Sequence, residues 1–394
     1  IKAPPSLLTT IGLAFSALSP EKSDARPRSE VSLLSADPVY DPKELLRRAL
    51  PVQDTSLDSL QEKLFAMSKS IIGGNVANKE TRDSNTMIGT TGIEISTAKV
   101  RISSASDIRG LANECKSILS AADEITNSIL QDKSNKKGEE MVGSILGDLK
   151  GNLNDMLYLL NGDDEKYAQK IYLLQQDSLD LIGNLKEMKL DKFPYAIPKE
   201  YQSYDKLLGR AVAEIKIRTT DDSGTAKVET LRVVLDGYNA PITAGRFARL
   251  AKQGFYDGMT IQRSDGFIVQ SGKNEGTAAP RAIPLEIMVQ GDKSPTYGDT
   301  LESLFRFDEK VVLPFNAQGT LAMARNADEA NSGDTQFFWL NKENDLTPSG
   351  TNILDGRFAV FGYTVENANA LRDFRVGDVI ESVKIIEGVD RLTK

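Results

Sequence analysis

Apolar residues recur every three or four positions in four segments between about residues 42 and 190. This spacing predicts amphipathic helices, each of which buries one apolar face against a partner. Together they predict an antiparallel helical bundle over residues 41–192. The four sets are Leu57, Leu60, Leu64, Met67 and Ile71; Ile108, Leu111, Cys115, Ile118, Ala122, Ile125 and Ile129; Leu146, Leu149, Leu153, Met156 and Leu160; and Ile171, Leu174, Leu181, Leu185 and Met188.

Three shorter segments complete the predicted N-terminal half. A short helix is expected at 42–49, because Pro42 suits a first helical turn and Asp41 suits its cap. Residues 73–103 are rich in Gly, Asn, Thr and Ser and predict a loop, with a short strand near 93–100. Residues 1–40 are expected to be a flexible segment or the remnant of a targeting sequence, since their apolar run is too short to span a bilayer.

The hydrophobic period changes after residue 192. Pro194 and Pro198 favour extended chain, which places a linker at 193–210. Beyond it, apolar and polar residues alternate over 211–218 and again over 231–235, as in half-buried strands, and a helix is expected at 242–252. The many short strands that follow predict a closed antiparallel β-barrel or a sandwich over residues 211–394.

Composition removes several kinds of chemistry. The chain has no histidine, which excludes Ser-His-Asp catalysis and His-ligated metal sites, and its single cysteine, Cys115, lies in a helical stripe as a buried apolar residue would. A formal net charge of −8 argues against a nucleic-acid partner. No cofactor or metal is expected. Arg263 cannot act as a general base, but it can donate hydrogen bonds into an apolar groove, which suits rotation about a peptide bond to proline.

Five blocks of the second half, in order, resemble the cyclophilins. The resemblance covers about residues 211–386, a little under half the chain, and it implies a cyclophilin-like closed β-barrel with flanking helices. The blocks are VVLDGYNAPITAGRF at 233–247, IQRSDGFIVQSG at 261–272, GTLAMA at 319–324, TQFF at 335–338 and LDGRFAVFG at 354–362.

A helical half ahead of such a barrel resembles the large cyclophilin-like proteins of the chloroplast thylakoid lumen. The segments 41–51, 193–201 and 235–245 carry this closer resemblance. It implies a location in the thylakoid lumen and a role in the assembly or upkeep of photosystem II. Its partners would be proline-containing segments, including lumenal loops of photosystem II subunits.

The resemblance also implies a site. Arg263 falls on the catalytic arginine, whose guanidinium would hydrogen-bond the prolyl nitrogen; the alternative is a surface ion pair with Asp265. The predicted substrate-binding residues are Phe267, Ile268, Gln270, Ala324, Arg325, Gln336, Phe338, Leu354 and Phe358.

The chain departs from the family's pattern at several groove positions. Arg325 stands where the family usually has Asn, Ile353 where it has an aromatic residue, and Phe358 where it has histidine. The turn between Arg263 and Phe267 is one residue shorter, and the insert at 277–300 is expected near the groove. These changes imply low isomerase activity.

Three functions remain open from the sequence. The first is a lumenal protein that binds Xaa–Pro segments and supports assembly, with weak or vestigial peptidyl-prolyl isomerase activity. The second is a fully active prolyl isomerase. The third is a non-enzymatic regulatory scaffold whose groove is masked by the helical half.

Overall fold

The computed structural model describes residues 39–71, 105–130, 136–161, 167–190, 192–220, 224–273, 281–341 and 352–394. Within it, Asp37–Lys394 forms one compact unit. The strand expected near 93–100 and the proposed targeting remnant at the N-terminus lie outside the described residues.

Four long helices form the predicted bundle. They are α2 (Thr55–Ile71), α3 (Ala105–Leu130), α4 (Lys136–Leu160) and α5 (Ala168–Met188), and each packs against two of the others. Their leucine stripes share one core, where Leu60, Leu149 and Leu153 are fully buried. Cys115 lies in that core, as expected, and burial raises the pKa of its thiol to about 12. None of the helices in the described ranges is long and apolar enough to cross a membrane.

The short helix α1 (Pro42–Arg48) precedes the bundle. The Asp41 carboxylate accepts a hydrogen bond from the Lys43 N–H at 3.0 Å, so the predicted cap is confirmed. The helix ends at Arg48, one residue before the predicted boundary, with Ala49 as its C-cap.

An eight-stranded antiparallel sheet forms most of the C-terminal half, in the spatial order β11-β2-β3-β10-β8-β9-β5-β4. Two pairs, β1 with β12 and β6 with β7, lie outside it. The strands are β1 (Lys206–Leu207), β2 (Arg210–Thr220), β3 (Ala226–Asp236), β4 (Arg263–Ser264), β5 (Ile268–Ser271), β6 (Glu286–Ile287), β7 (Thr296–Tyr297), β8 (Thr320–Met323), β9 (Phe337–Leu340), β10 (Val360–Glu366), β11 (Val379–Glu387) and β12 (Leu392–Thr393).

The sheet closes through the segment just before β4. Ile261 N–H donates to the Asp378 carbonyl at 2.8 Å, and Ile380 N–H donates to the Met259 carbonyl at 2.7 Å, which joins the two edges. The interior is filled by aromatic rings that are fully buried, among them Trp339 and Phe247. The closed antiparallel barrel predicted from the sequence is therefore confirmed.

Helix α6 (Pro241–Lys252) packs across one part of this core. A Cβ at Gly245 would lie 2.6 Å from the Cα of Lys206, so only glycine lets β1 approach the helix this closely. The end of the predicted linker thus belongs to a strand, because β1 pairs with β12. The division of the chain into domains at 41–192, 193–210 and 211–394 stays a prediction.

Helix α1 joins the bundle to the barrel. Its apolar side, Leu45 and Leu46, belongs to a core cluster on the outer face of the barrel, next to β10. The end of the helix is held by side chains of the barrel, since Arg210 donates to the Leu46 carbonyl at 2.5 Å and Asn239 donates to the Ala49 carbonyl at 2.8 Å. This docking was not predicted from the sequence.

The other side of α1 carries charges that face the bundle. Arg47, which is buried, contacts Asp180 of α5 at 2.7 Å and Glu44 at 3.3 Å. Glu44 is fully buried and also pairs with Arg48 at 2.7 Å. Burial raises the pKa of Glu44, while the two arginines favour its ionised form. A seven-residue helix is therefore fixed on one side by packing and on the other by ion pairs.

Candidate functional site

The candidate site begins with a row of side chains across the outer face of the barrel. Residues directly opposite each other on antiparallel strands project to the same face of a sheet. The ladder places Arg263 (β4) opposite Gln270 (β5), Gln270 opposite Phe338 (β9), and Phe338 opposite Ala322 (β8). We call these four residues the outer row. Strand pairing thus brings together three of the predicted site residues, Arg263, Gln270 and Phe338.

Two further predicted residues lie beside this row. The Gln270 side chain donates to the Gln336 Oε1 atom at 3.2 Å, so the two amides form one polar edge. Ala324 N–H donates to the Gln336 carbonyl at 2.9 Å, which holds the chain after β8 against the chain before β9. The structure therefore places both glutamines and Ala324 next to Phe338.

The floor of the candidate groove is aromatic. Phe338 is buried, and its ring lies parallel to the ring of Phe315, with 6.0 Å between their centroids. Phe358 meets Phe338 edge to face at 5.4 Å. Ile268, Phe267 and Leu354 belong to the same apolar cluster. Phe315 was not singled out from the sequence, although its position in the apolar run at 311–315 is a signal that could have found it.

The guanidinium of Arg263 lies at the rim and is already paired. Its Nε and Nη2 atoms contact the Asp265 carboxylate at 2.6 and 2.5 Å, while 54% of the side chain remains exposed. The Asp265 carboxylate also accepts from the N–H groups of Phe267 and Ile268. The Ile268 N–H and the Arg263 guanidinium lower the pKa of Asp265 against the effect of its burial. The ion pair considered as the alternative from the sequence is thus present, on the same turn that carries the groove residues.

Arg325 and Leu354 lie on the opposite side of the floor from β4. Arg325 Nε donates to the Arg357 carbonyl at 2.8 Å, which ties the chain after β8 to the turn that contains Leu354 and Phe358. Ile353, on the same turn, has 62% of its surface exposed. All ten predicted site residues therefore surround one stretch of the outer face, and their roles in binding and catalysis stay predictions.

In the described part of the insert, residues 281–300, Glu286 contacts the first turn of α6. Glu286 on β6 is buried, and its carboxylate accepts from the N–H groups of Ile242 and Thr243 at the first turn of α6 at 3.1 and 3.0 Å. Arg281 of the same segment lies over the ring of Tyr204, 4.3 Å from its centroid. An acidic group at a helix N-terminus is favourable, which accounts for the position of the segment. Glu286 was not singled out from the sequence.

Glu286 and Asp355 line a small cavity beside the aromatic floor, together with Phe315 and Phe358. Burial raises the pKa of Glu286 from 4.5 to about 7 and that of Asp355 from 3.8 to about 6. A carboxyl group with a raised pKa binds more protons in the folded state than in the unfolded state. These two carboxyl groups therefore contribute more stability at acidic pH, and the contribution of Glu286 is lost as the pH rises from about 4.5 through about 7.

We expect Glu286→Gln to flatten this dependence. Between pH 5 and 8, Glu286 should lower the free energy of unfolding of the wild-type chain by about 2 kcal/mol, and the amide removes that contribution because it does not ionise. Urea unfolding at pH 5, 6, 7 and 8 measures the difference, with Glu381→Gln, at an exposed carboxylate on β11, as the control. Parallel pH curves for wild type and Glu286→Gln would contradict the assignment.

Comparison with known proteins agrees with this architecture. Residues 216–391 match the family model described as cyclophilin type peptidyl-prolyl cis-trans isomerase. That range contains the β-barrel strands from within β2 onward and all ten groove residues.

Three relatives extend the match into the helical half. The chain is 39% identical to the chloroplast peptidyl-prolyl cis-trans isomerase CYP38 of Arabidopsis thaliana, over 91% of this chain and 77% of that one. It is 33% identical to a Synechocystis protein described as a thylakoid lumen peptidyl-prolyl cis-trans isomerase, over 100% of this chain and 98% of that one. The Arabidopsis isomerase CYP37 is 33% identical over 69% of this chain and 59% of its own length. The chain therefore belongs to the cyclophilin-type peptidyl-prolyl cis-trans isomerase family, in the thylakoid-lumen branch that carries a helical N-terminal half.

Proposed function

We propose that the chain binds Xaa–Pro segments of lumenal proteins in the candidate groove and supports the assembly or maintenance of photosystem II. We further propose that it retains weak peptidyl-prolyl isomerase activity. The observation that carries the proposal is the outer row together with Gln336 beside it, which sets a permanently charged hydrogen-bond donor, two amides and an aromatic floor side by side. An apolar slot with a few polar groups at its rim suits a proline ring flanked by peptide bonds.

Isomerisation needs little from the protein beyond such a donor. The barrier to rotation about a peptide bond is roughly 18–20 kcal/mol, because conjugation gives the C–N bond double-bond character. A guanidinium that hydrogen-bonds the prolyl nitrogen favours the twisted, unconjugated state over the planar one. No proton moves and no bond breaks, so the absence of histidine is compatible with the reaction.

Two contacts favour weak rather than full activity. Asp265 holds the Arg263 guanidinium, so the arginine must turn from the carboxylate to reach a substrate. Phe358 covers one edge of Phe338 with a ring that offers no polar group. The same contacts are also compatible with a groove that binds proline without isomerising it.

The masked-groove alternative receives less support. The polar contacts between helical half and barrel in the described ranges involve Arg210, Tyr238, Asn239, Asn316 and Arg391, which lie outside the groove set. The exposure of the Arg263 side chain also favours an accessible rim. These contacts favour a helical half that lies beside the groove, although Leu45, Leu46 and Ala49 of that half belong to the same apolar cluster as Phe338 and Ile268.

Titration with matched peptides tests binding. We expect a peptide with a central Ala-Pro to shift the NMR signals of Ile268, Phe267 and Phe338, and the same peptide with Ala-Ala to leave them unchanged. Peptides from the lumenal loops of photosystem II subunits, each with and without its proline, extend the test to the proposed partner. If the proline and alanine versions of a peptide shift these NMR signals equally, the proposal is wrong.

Asp265→Asn is expected to raise isomerase activity about two- to fivefold. The amide oxygen can still accept from Phe267 and Ile268 N–H, but the charge that competes for Arg263 is gone, and an exposed ion pair of this kind is worth about 0.2–1 kcal/mol. Cis–trans exchange of an Ala-Pro peptide followed by NMR gives the rate. The matched control is Glu381→Gln, which releases the exposed Arg218 elsewhere on the barrel. A lower rate for Asp265→Asn would show that the pair positions Arg263 rather than restrains it.

A further inference from the structure

Arg325 is a half-buried cation at the edge of the aromatic floor. Its guanidinium lies over the ring of Phe358, 4.9 Å from the centroid. Nε donates to the Arg357 carbonyl, and Nη1 donates to the carbonyls of Asn326 and Ala327 at 2.7 and 3.0 Å. These acceptors fix the orientation of the guanidinium but do not neutralise its charge. Among the described residues, its Nη2 atom has no acceptor.

Two acidic side chains near Arg325 in the fold contact other groups. Glu302 pairs with the neighbouring Arg357 at 2.8 Å, and Glu329 accepts from the amide of Asn326. Within the described ranges, no carboxylate forms an ion pair with Arg325. Burial and the positive charge of Arg357 lower the pKa of Arg325, which is the effect of a cation without a nearby anion. The group nevertheless stays protonated, because an arginine does not lose its proton in proteins.

The surroundings make this position suitable for an anion. A carboxylate beside Nη2 would meet a guanidinium that is already held by its backbone acceptors, so little side-chain freedom would be lost on binding. Charge-assisted hydrogen bonds of this kind are stronger than neutral ones. The aromatic ring of Phe358 on one side also reduces the screening of the charge by water.

We propose that Arg325 determines specificity by selecting Xaa–Pro segments that carry a carboxylate next to the proline. The inference rests on the proposed function, since it requires that a proline occupy the floor formed by Phe338. It adds the chemical class of the partner: an acidic, proline-containing stretch of polypeptide. Arg325 acts here as a binding residue and takes no part in the rotation of the peptide bond.

The affinities of four peptides for the full-length chain, measured at low and at moderate salt, test this specificity. The peptides carry Ala-Ala-Pro-Ala, Ala-Glu-Pro-Ala, Ala-Ala-Pro-Glu and Ala-Lys-Pro-Ala at their centres, with blocked ends. We expect at least one glutamate peptide to bind about five times more tightly than the neutral peptide, a preference that decreases with salt, and the lysine peptide to bind more weakly. In Arg325→Gln the glutamate preference should be lost, whereas Arg325→Lys, which keeps the charge, should retain part of it.

The controls separate charge recognition from a structural role. Arg218→Gln removes an exposed arginine of β2 and should leave the preference unchanged. If Arg325→Gln weakens acidic and neutral peptides by the same factor, Arg325 only supports the turn at 354–358 and the inference is wrong. If the wild-type chain binds all proline peptides equally, the inference is also wrong, although the proposed function stands. If the wild-type chain binds no proline peptide at all, the inference and the proposed function are both wrong.

Discussion

Arg263→Ala is expected to lower the catalysed rate of prolyl isomerisation about a hundredfold, because it removes the donor that stabilises the twisted peptide bond. Binding should change much less, since the apolar floor of Phe338, Ile268 and Phe267 remains. This pattern, a loss in rate with binding preserved, is the result of removing an interaction made mainly in the transition state. Exchange NMR on an Ala-Pro peptide at saturating and subsaturating concentrations separates the two quantities.

Two further variants serve as controls for this measurement. Arg263→Lys keeps the charge but loses the planar fork, and it should recover only part of the rate. Arg218→Ala removes an exposed arginine outside the groove and should behave like the wild type. If Arg263→Ala has the wild-type rate, the arginine has no catalytic role, and the chain is a binding protein or catalyses by other residues.

Arg47→Met is expected to reduce the free energy of unfolding by about 3 kcal/mol. The substitution leaves the buried Glu44 with Arg48 as its remaining cationic partner and removes the shorter of the two ion pairs from α1 to Asp180 of α5. Breaking a buried ion pair by removing one partner is costly, because the other charge stays desolvated. The effect should reach the contact between helical bundle and barrel, since α1 contacts both. Glu187 of α5 also contacts Tyr238 and Arg391 of the barrel directly.

Urea unfolding followed with two probes measures whether the helical bundle and the barrel unfold together. Trp339, the one tryptophan of the chain, is buried in the barrel and reports on it by fluorescence, whereas far-ultraviolet circular dichroism is dominated by the helices. We expect the two transitions to coincide in the wild type and to separate in Arg47→Met, with the helical signal lost first. Arg218→Ala, which removes an exposed pair, should cost less than about 1 kcal/mol. A similarly small effect for Arg47→Met would show that the charged face of α1 does not hold the two parts together.

The elements of this fold were predictable where one face of each is buried. Leu57, Leu60 and Leu64 follow the helical period because that face meets the other helices, and all three are buried in α2. Alternation over β2 has the same cause, since Ala213, Ile215 and their neighbours face the barrel interior. Periodicity indicates that one face of an element is buried. The helical period of α2 and the alternation of β2 therefore both predicted the correct type of element.

Periodicity does not report what covers a face. Leu45 and Leu46 indicated a helix, but nothing in their spacing indicated that the barrel would be their partner or that Arg47 would face α5. Pairing between distant strands is not visible in the sequence either. That Arg263 and Phe338 lie in one row, on either side of Gln270, was therefore predictable only through resemblance to a family. Glu286 shows a third limit: its position at the start of α6 depends on a contact between segments 43 residues apart.

Intermolecular nuclear Overhauser effects between a bound proline and methyl-labelled Ile268 test the central claim most directly. The groove account predicts contacts from the proline ring protons to the Ile268 methyl groups and to the Phe338 ring, and their loss when alanine replaces the proline of the peptide. Contacts confined to exposed residues elsewhere, such as Phe305 and Phe307, would contradict it, because the peptide would then bind away from the outer row.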